Sequence, residues 1–438
     1  MTTQILCAST LYGAATLAAA VDTGLIRPAD RRILLISNNA AVPEVATPLD
    51  AMPGFGAIRD RFDEVLSWNA AIEPFHPSGW SPRAEDVPLW ERHLRGLWEL
   101  GDDDVEFAVE SIQVNPALAV TGIFTGAAVD VYADGLMSYG PTRIKLDPLL
   151  GTRVRRVLHL DLVPGLEPLL LTEFGVGAET VPDDAFRAVL EQIGARTPAP
   201  ELPYDRPALL LGQYLSALDI LTAGEEEELH LRMLRGTAAR GHRQIVFKPH
   251  PTAPARWSRL LEAEAARLGV EFTVLDAPVL AETLYERLRP VLVVGCFSTA
   301  LFTARQLYGL DTARTGTGML LERLTPYQNS NRVPAVLAHV LLPELETGRT
   351  RTPGDTARLV AAIGFTMQPR IHPGLRPAAT AYLADGVTPD EQRLFPRRRL
   401  TVLGLPGGLP GRLAALSRRP EVRRAARKAR RLGRAVLR

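Results

Sequence analysis

Short apolar runs alternate with helix-length stretches along most of this chain. Gln4 to Ala8 predicts a first strand and Ala14 to Val21 a helix. Arg32 to Ser37 predicts a second strand, ending in Asn38-Asn39. Helical stretches are expected near Ala57 to Leu66 and Leu89 to Leu100, and strands over Val105 to Ile112 and Ala127 to Tyr132. Strands separated by helix-length segments build βαβ units, and those build a parallel sheet.

A Pro-rich stretch, Thr197 to Pro207, interrupts the pattern and reads as a linker. The cycle then restarts more clearly. Strands are expected at Ala208 to Gly212, Gln244 to Lys248, Val270 to Leu275 and Pro290 to Gly295. Helices are expected at Glu225 to Arg240, Arg256 to Leu268, Val279 to Leu288 and Thr299 to Leu307. The expected fold is α/β: two Rossmann-like doubly wound domains facing a cleft, followed by a helical tail. Residues 1–198 form the first domain, 206–395 the second and 396–438 the tail. In such sheets ligands gather at the carboxyl ends of the strands, so chemistry is sought just after each strand.

Composition bounds the partners. At 438 residues, 46% hydrophobic and 23% charged, the chain suits two soluble globular domains. The net charge of +1 hides an asymmetry. From Arg397 onward fourteen basic residues meet one acidic residue, Glu421, so the body is acidic and the tail strongly basic. Three lysines stand against 47 arginines, so arginine is the default cation. Cys7 and Cys296 are too few for a disulfide framework, which fits a reducing cytosol. No basic residue precedes Arg27, so no secretory leader is expected. No apolar run reaches the ~18 residues of a membrane span.

Three strand-end segments carry candidate chemistry. In Ile245-Val-Phe-Lys-Pro-His-Pro251, His250 lies just beyond a buried strand, held between two prolines that stiffen its backbone. An imidazole so presented can donate to a phosphate or protonate a leaving group; the plain alternative is a loop histidine bonded to backbone. His76-Pro77 and His372-Pro373 lack such a strand. In Val291 to Ala300, a strand runs into Gly295 and Ser298-Thr299 open a helix, where free amides and hydroxyls suit phosphate. An ordinary helix cap has the same residues. In Asp130 to Gly140, Asp134-Gly135 follow a strand directly. A carboxylate there can take a proton from an attacking hydroxyl, although Asp-Gly taken alone reads as a turn.

Together these segments resemble the bacterial alpha-2,8-polysialyltransferase family and its sialyltransferase relatives. The likeness rests on Ala133-Asp134-Gly135, His250-Pro251 and Ser298-Thr299 in that order. Tyr132, Ser138, Tyr139-Gly140 and the run Leu160 to Gly165 add to it. The architecture is the one called GT-B among glycosyltransferases. The resemblance implies inverting transfer of a sialic-acid-type sugar from a CMP-activated donor to a glycan acceptor, with Asp134 as base and His250 on the leaving phosphate. Gly295, Ser298, Thr299, Gly212 and Gln213 would hold the donor, and Glu282 its ribose hydroxyls, unless Glu282 is simply a helix carboxylate. Ser9 and Thr10 would line the acceptor side. One phosphate on the leaving group implies no cofactor and no required metal. Ala133 departs from the family, which has a first acid there, and Asp130 is the reserve base. Two other readings remain open: a GT-B transferase using another CMP- or nucleotide-diphosphate sugar, and an inactive glycan-binding or membrane-associated scaffold.

In the tail, Val422, Ala425, Ala426, Ala429, Leu432 and Val436 follow helical spacing. Arg423, Arg424, Arg427, Lys428, Arg430 and Arg431 fill the other positions. A basic amphipathic helix suits an anionic membrane surface, which predicts a cytoplasmic protein peripheral to the inner face of the cell membrane, near lipid-linked acceptors. A disordered solubilising tail is the alternative; specific nucleic-acid binding is not expected.

Overall fold

A computed structural model describes residues 1–133, 135–198, 202, 204–250, 253–351 and 353–409. Seven parallel strands form the first sheet: β1 (Thr2–Ala8), β2 (Arg31–Ile36), β3 (Glu64–Ser67), β4 (Asp104–Glu110), β5 (Ala128–Ala133), β6 (Val154–Leu160) and β7 (Gly177–Val181). Their order is β3-β2-β1-β4-β5-β6-β7. The second sheet comprises β8 (Ala208–Leu211), β9 (Gln244–Lys248), β10 (Glu271–Val274), β11 (Leu292–Gly295) and β12 (Thr312–Arg314), ordered β10-β9-β8-β11-β12. Both orders reverse beside the first strand of their sheet, which opens a crevice at its carboxyl end. Sheets covered on both faces need continuous apolar strands, and the central ones comply: Ile5, Leu6, Ile33, Leu34, Val129, Val131, Leu209, Leu210, Val293 and Val294 are all buried.

The helices begin and end where their termini are satisfied. Thr222 and Glu225 form a reciprocal capping box at the start of Ala223–Ala239. The helix Thr299–Tyr308 starts at Ser298 and stops at Gly309, whose φ of 61° is left-handed. Leu11–Asp22 packs on Asp183–Ala195, and the latter on Ala281–Leu288, so a helix of the first sheet meets a helix of the second. The Arg287 guanidinium fastens that contact by donating to the Gly194 and Thr197 carbonyls. Tyr12 also reaches Thr303 through their hydroxyls, 3.3 Å apart.

The chain divides into two units, Met1–Gly354 and Asp355–Arg438. Both sheets belong to the first. The described part of the second is helical, with Thr356–Met367, Arg376–Ala384 and Arg397–Leu403, where Arg399 donates to the Thr366 carbonyl at 2.7 Å. Arg423, Arg424, Arg427, Lys428, Arg430 and Arg431 lie outside the described residues. Among the described residues no helix is long and apolar enough to cross a membrane.

One expected helix is absent. Ala57 to Leu66 instead gives two short turns, Phe55–Ala57 and Arg59–Arg61, followed by strand β3. Pairing with β2 overrides local preference there. Asp63 exchanges hydrogen bonds with the Arg32 backbone at 2.6 and 2.8 Å, and Arg31 holds Glu64 at 2.6 Å.

Candidate active site

The loops after β8, β9 and β11 converge because their strands are neighbours. Gly212 follows β8, and its amide donates to the Lys248 carbonyl at the end of β9 at 2.9 Å. A Cβ at 212 would meet the Phe247 ring at 2.9 Å and Pro249 Cα at 3.2 Å, so this close approach requires glycine. Gln213 extends across to the β11 loop, accepting from the Phe297 amide at 3.0 Å. His250 stands just past β9 with its ring 6.2 Å from that of Tyr214, and Tyr214 in turn meets Trp257 edge-on at 5.5 Å. Three expected donor-side segments are therefore adjacent.

Gly295 ends β11, and a Cβ there would press on Leu301 at 3.3 Å. Ser298 is half-buried and caps the helix after it by accepting from the Ala300 amide at 3.3 Å. Ser298 also takes the Leu301 amide on its carbonyl at 3.1 Å, and a helix start of this kind is a setting that favours anions. Thr299 touches the other domain. A Cβ built on Gly135 would fall 2.6 Å from Thr299 Oγ1, so the glycine of the first motif lies directly against the Ser-Thr pair, 164 positions later. Asp134 itself lies outside the described residues.

The segment after Gly135 is fixed to the first sheet by a buried tyrosine. Tyr139 donates to the Leu160 carbonyl at 3.3 Å and accepts from the Val163 amide at 3.2 Å. The two stretches that looked familiar in sequence are thereby one structural feature. Asp130, the reserve base, is buried within β5 and held by Arg155 and Arg156 at 2.8 and 2.9 Å. With both oxygens engaged by guanidinium groups, it is poorly placed to accept a substrate proton.

Glu282 sits in the first turn of its helix and is 4% exposed. Burial pushes its carboxyl up to about 7, against a downward pull from Lys248 and from its own backbone amide. Burial likewise lowers the proton affinity of His250, and the Lys248 charge lowers it further. The imidazole therefore holds its proton less tightly than an exposed histidine does. Sequence reasoning missed Lys248. Its rarity as a lysine was the available signal.

On the first sheet, Ser9 gives both its amide and its hydroxyl to Glu110, at 3.2 and 2.6 Å. It lines a pocket at the ends of β1, β2 and β4, together with Ser37, Asn39, Glu110 and Ser111. Thr10 is occupied as a helix cap, accepting from the Gly13 amide at 2.9 Å.

Two parallel-sheet domains with a shared set of strand-end loops define the GT-B class of glycosyltransferases. The model of the alpha-2,8-polysialyltransferase family matches residues 4–316, which covers both sheets. This chain belongs to that family and is a sialyltransferase-like glycosyltransferase, a class that joins a sugar-nucleotide donor to a glycan acceptor. Solved structures resemble it at low identity. The GT-B domain of the Photobacterium damselae sialyltransferase is 11% identical, covers 77% of this chain and 96% of its own, and has a TM-score of 0.39. The Photobacterium phosphoreum alpha/beta-galactoside alpha-2,3-sialyltransferase is 11% identical over 77% and 95%, with a TM-score of 0.40. A Neisseria meningitidis UDP-GlcNAc 2-epimerase is 11% identical over 86% and 94%, with a TM-score of 0.43. The search of curated proteins returns no match.

Proposed function

We propose that this chain transfers a sialic-acid-type sugar from a CMP-activated donor to a glycan acceptor by a single inverting displacement. The observation that carries the reading is the contact of Gly135 with Thr299, which brings the first domain's acid-Gly motif to the second domain's helix start. In this reading the Asp134 carboxylate takes the acceptor hydroxyl proton as its oxygen attacks the anomeric carbon. The bond to the phosphate oxygen breaks through an oxocarbenium-like state. His250 donates to the departing phosphate, and Ser298, Thr299 and the helix amides stabilise its charge. A single phosphate needs few countercharges, so no divalent metal takes part.

Gly212 lets the donor loop after β8 pack closely on the end of β9, Gln213 ties that loop to the β11 loop, and Glu282 faces the ribose hydroxyls. The acceptor lies on the first domain, beside Ser9 and its pocket. The basic tail, from Arg423 to Arg431, rests on an anionic membrane and brings the site to lipid-linked acceptors.

Mass spectrometry of a candidate acceptor incubated with CMP-sialic acid tests the transfer. A mass gain of one or more sialic acid residues is expected with wild type. His250→Ala and Asp134→Ala should each lose about 10²- to 10⁴-fold in rate, the usual worth of a general acid or base. Transfer from UDP-sugars in place of CMP-sialic acid would replace the donor assignment. Nucleotide binding without any transfer would favour the scaffold reading, for which Ala133 in the first motif is the specific observation.

A further inference from the structure

Three lysines against 47 arginines make any buried lysine informative. Arginine is a broad planar fork and lysine a compact point charge, so a site that keeps lysine needs the smaller cation. Lys248 is such a site. It ends β9, is 7% exposed, and is anchored through its carbonyl by the Gly212 amide. Among the described residues its ammonium makes no hydrogen bond and no ion pair within 4.0 Å. Nor is that nitrogen sealed off, since it is not one of the buried polar atoms shut away from solvent without a partner.

Its surroundings are those of the donor site. Glu282 and Asp276 act on its charge, and it acts in turn on His250. Neither Glu282 nor Asp276 closes on it as a salt bridge within 4.0 Å. A buried cation left in that state opposes folding, and proteins retain such groups where an arriving anion supplies the missing partner.

We propose that Lys248 Nζ binds the negatively charged group of the donor, either the phosphate or the carboxylate of the sugar, and so selects anionic donors over neutral nucleosides. This rests on the donor reading above and adds a contact to it. Lysine suits the task because its ammonium can reach one oxygen from within a narrow strand end. Burial and then the Lys248 charge lower the proton affinity of His250 in the free protein, and an anion bound at Lys248 offsets the second of these.

Isothermal calorimetry on the full chain tests it with CMP, cytidine and CMP-sialic acid, comparing wild type with Lys248→Met and Lys248→Gln. The expected result is a loss of at least tenfold in CMP affinity, with cytidine binding unchanged and a weaker salt dependence for CMP. A loss confined to CMP-sialic acid would also support the contact and assign it to the carboxylate. Equal losses for CMP and cytidine, or no loss for any nucleotide, would overturn it. Thermal melting separates a structural role: Lys248→Met should melt at the wild-type temperature or above, because an unpaired buried charge has been removed. Should wild type bind UDP and not CMP, the donor reading fails alone, and UDP against uridine gives the same comparison. A wild type that binds neither nucleotide overturns both.

Discussion

At the carboxyl ends of the first sheet the polar groups are bonded to one another, whereas at the end of β9 the Lys248 ammonium, among the described residues, makes no hydrogen bond and no ion pair. Ser9 holds Glu110, Thr10 holds the Gly13 amide, and Tyr132 donates to the Cys7 carbonyl at 2.9 Å. Across the Gly135–Thr299 contact, Lys248 is buried without an ion pair among the described residues, and Glu282 is buried as a carboxyl whose proton affinity is raised to about 7. The first side is a preset surface, which suits a neutral, hydroxyl-rich partner recognised by shape and many modest hydrogen bonds. The second holds unspent charge, which suits an anion whose binding energy comes from electrostatics. Under the proposed function, the donor and acceptor halves differ in this physical sense before any substrate is present.

Breaking the contact between the halves should have the largest effect. Gly135→Ala places a Cβ 2.6 Å from Thr299 Oγ1. One side must then shift by a few tenths of an ångström or more, and misplacement on that scale costs on the order of 10²-fold in rate. Transfer assays should show that loss while the melting temperature stays near wild type; a variant of full activity would detach the motif contact from catalysis.

The charged half should respond next, to pH. Glu282 has its proton affinity raised by burial, so its contribution to stability is present below its usual value near 4.5 and is lost as pH rises through about 7. By pH 8 the cost is on the order of 3 kcal/mol. Denaturant titrations across pH 5 to 8 should show stability falling for wild type and a flatter profile for Glu282→Gln. Equal slopes would mean the carboxyl is not buried as described. The preset half should give the smallest change: Ser9→Ala removes one hydrogen bond to a half-exposed carboxylate, costing about 1 kcal/mol in urea unfolding. A much larger loss would show that the Ser9–Glu110 pair organises the pocket beyond its own bond.

Most of the sheet framework was legible because buried parallel strands are short apolar runs bounded by helix-length spacing. Gln244–Lys248 and the helix starting at Thr299 were read to the residue. β6 was harder to see, since Arg155 and Arg156 interrupt its apolar run; Asp130, Glu106 and Glu179 absorb those charges from neighbouring strands, which only the fold can bring. The 57–66 segment was misread for the converse reason. Its apolar spacing allows a helix, and the bonds of Asp63 and Glu64 to β2 decide for a strand. In the site, His250, Gly295 and Ser298 follow from strand ends and helix caps. Lys248 did not, because a lysine ending a strand is unremarkable until its burial is known.

Sequence by itself determined the local chemistry of this protein: which residues end strands, which cap helices, and which motif order places the chain among polysialyltransferases. Those properties depend on neighbours within a few positions, so periodicity and turn residues suffice. Only the tertiary structure decided which of these groups are spent and which are free. Gly135 against Thr299, Asp130 under two arginines and Lys248 buried at the end of β9 are all settled by strand neighbours far apart in the chain. Burial and Coulomb interaction depend on distance in space, and sheet order sets that distance.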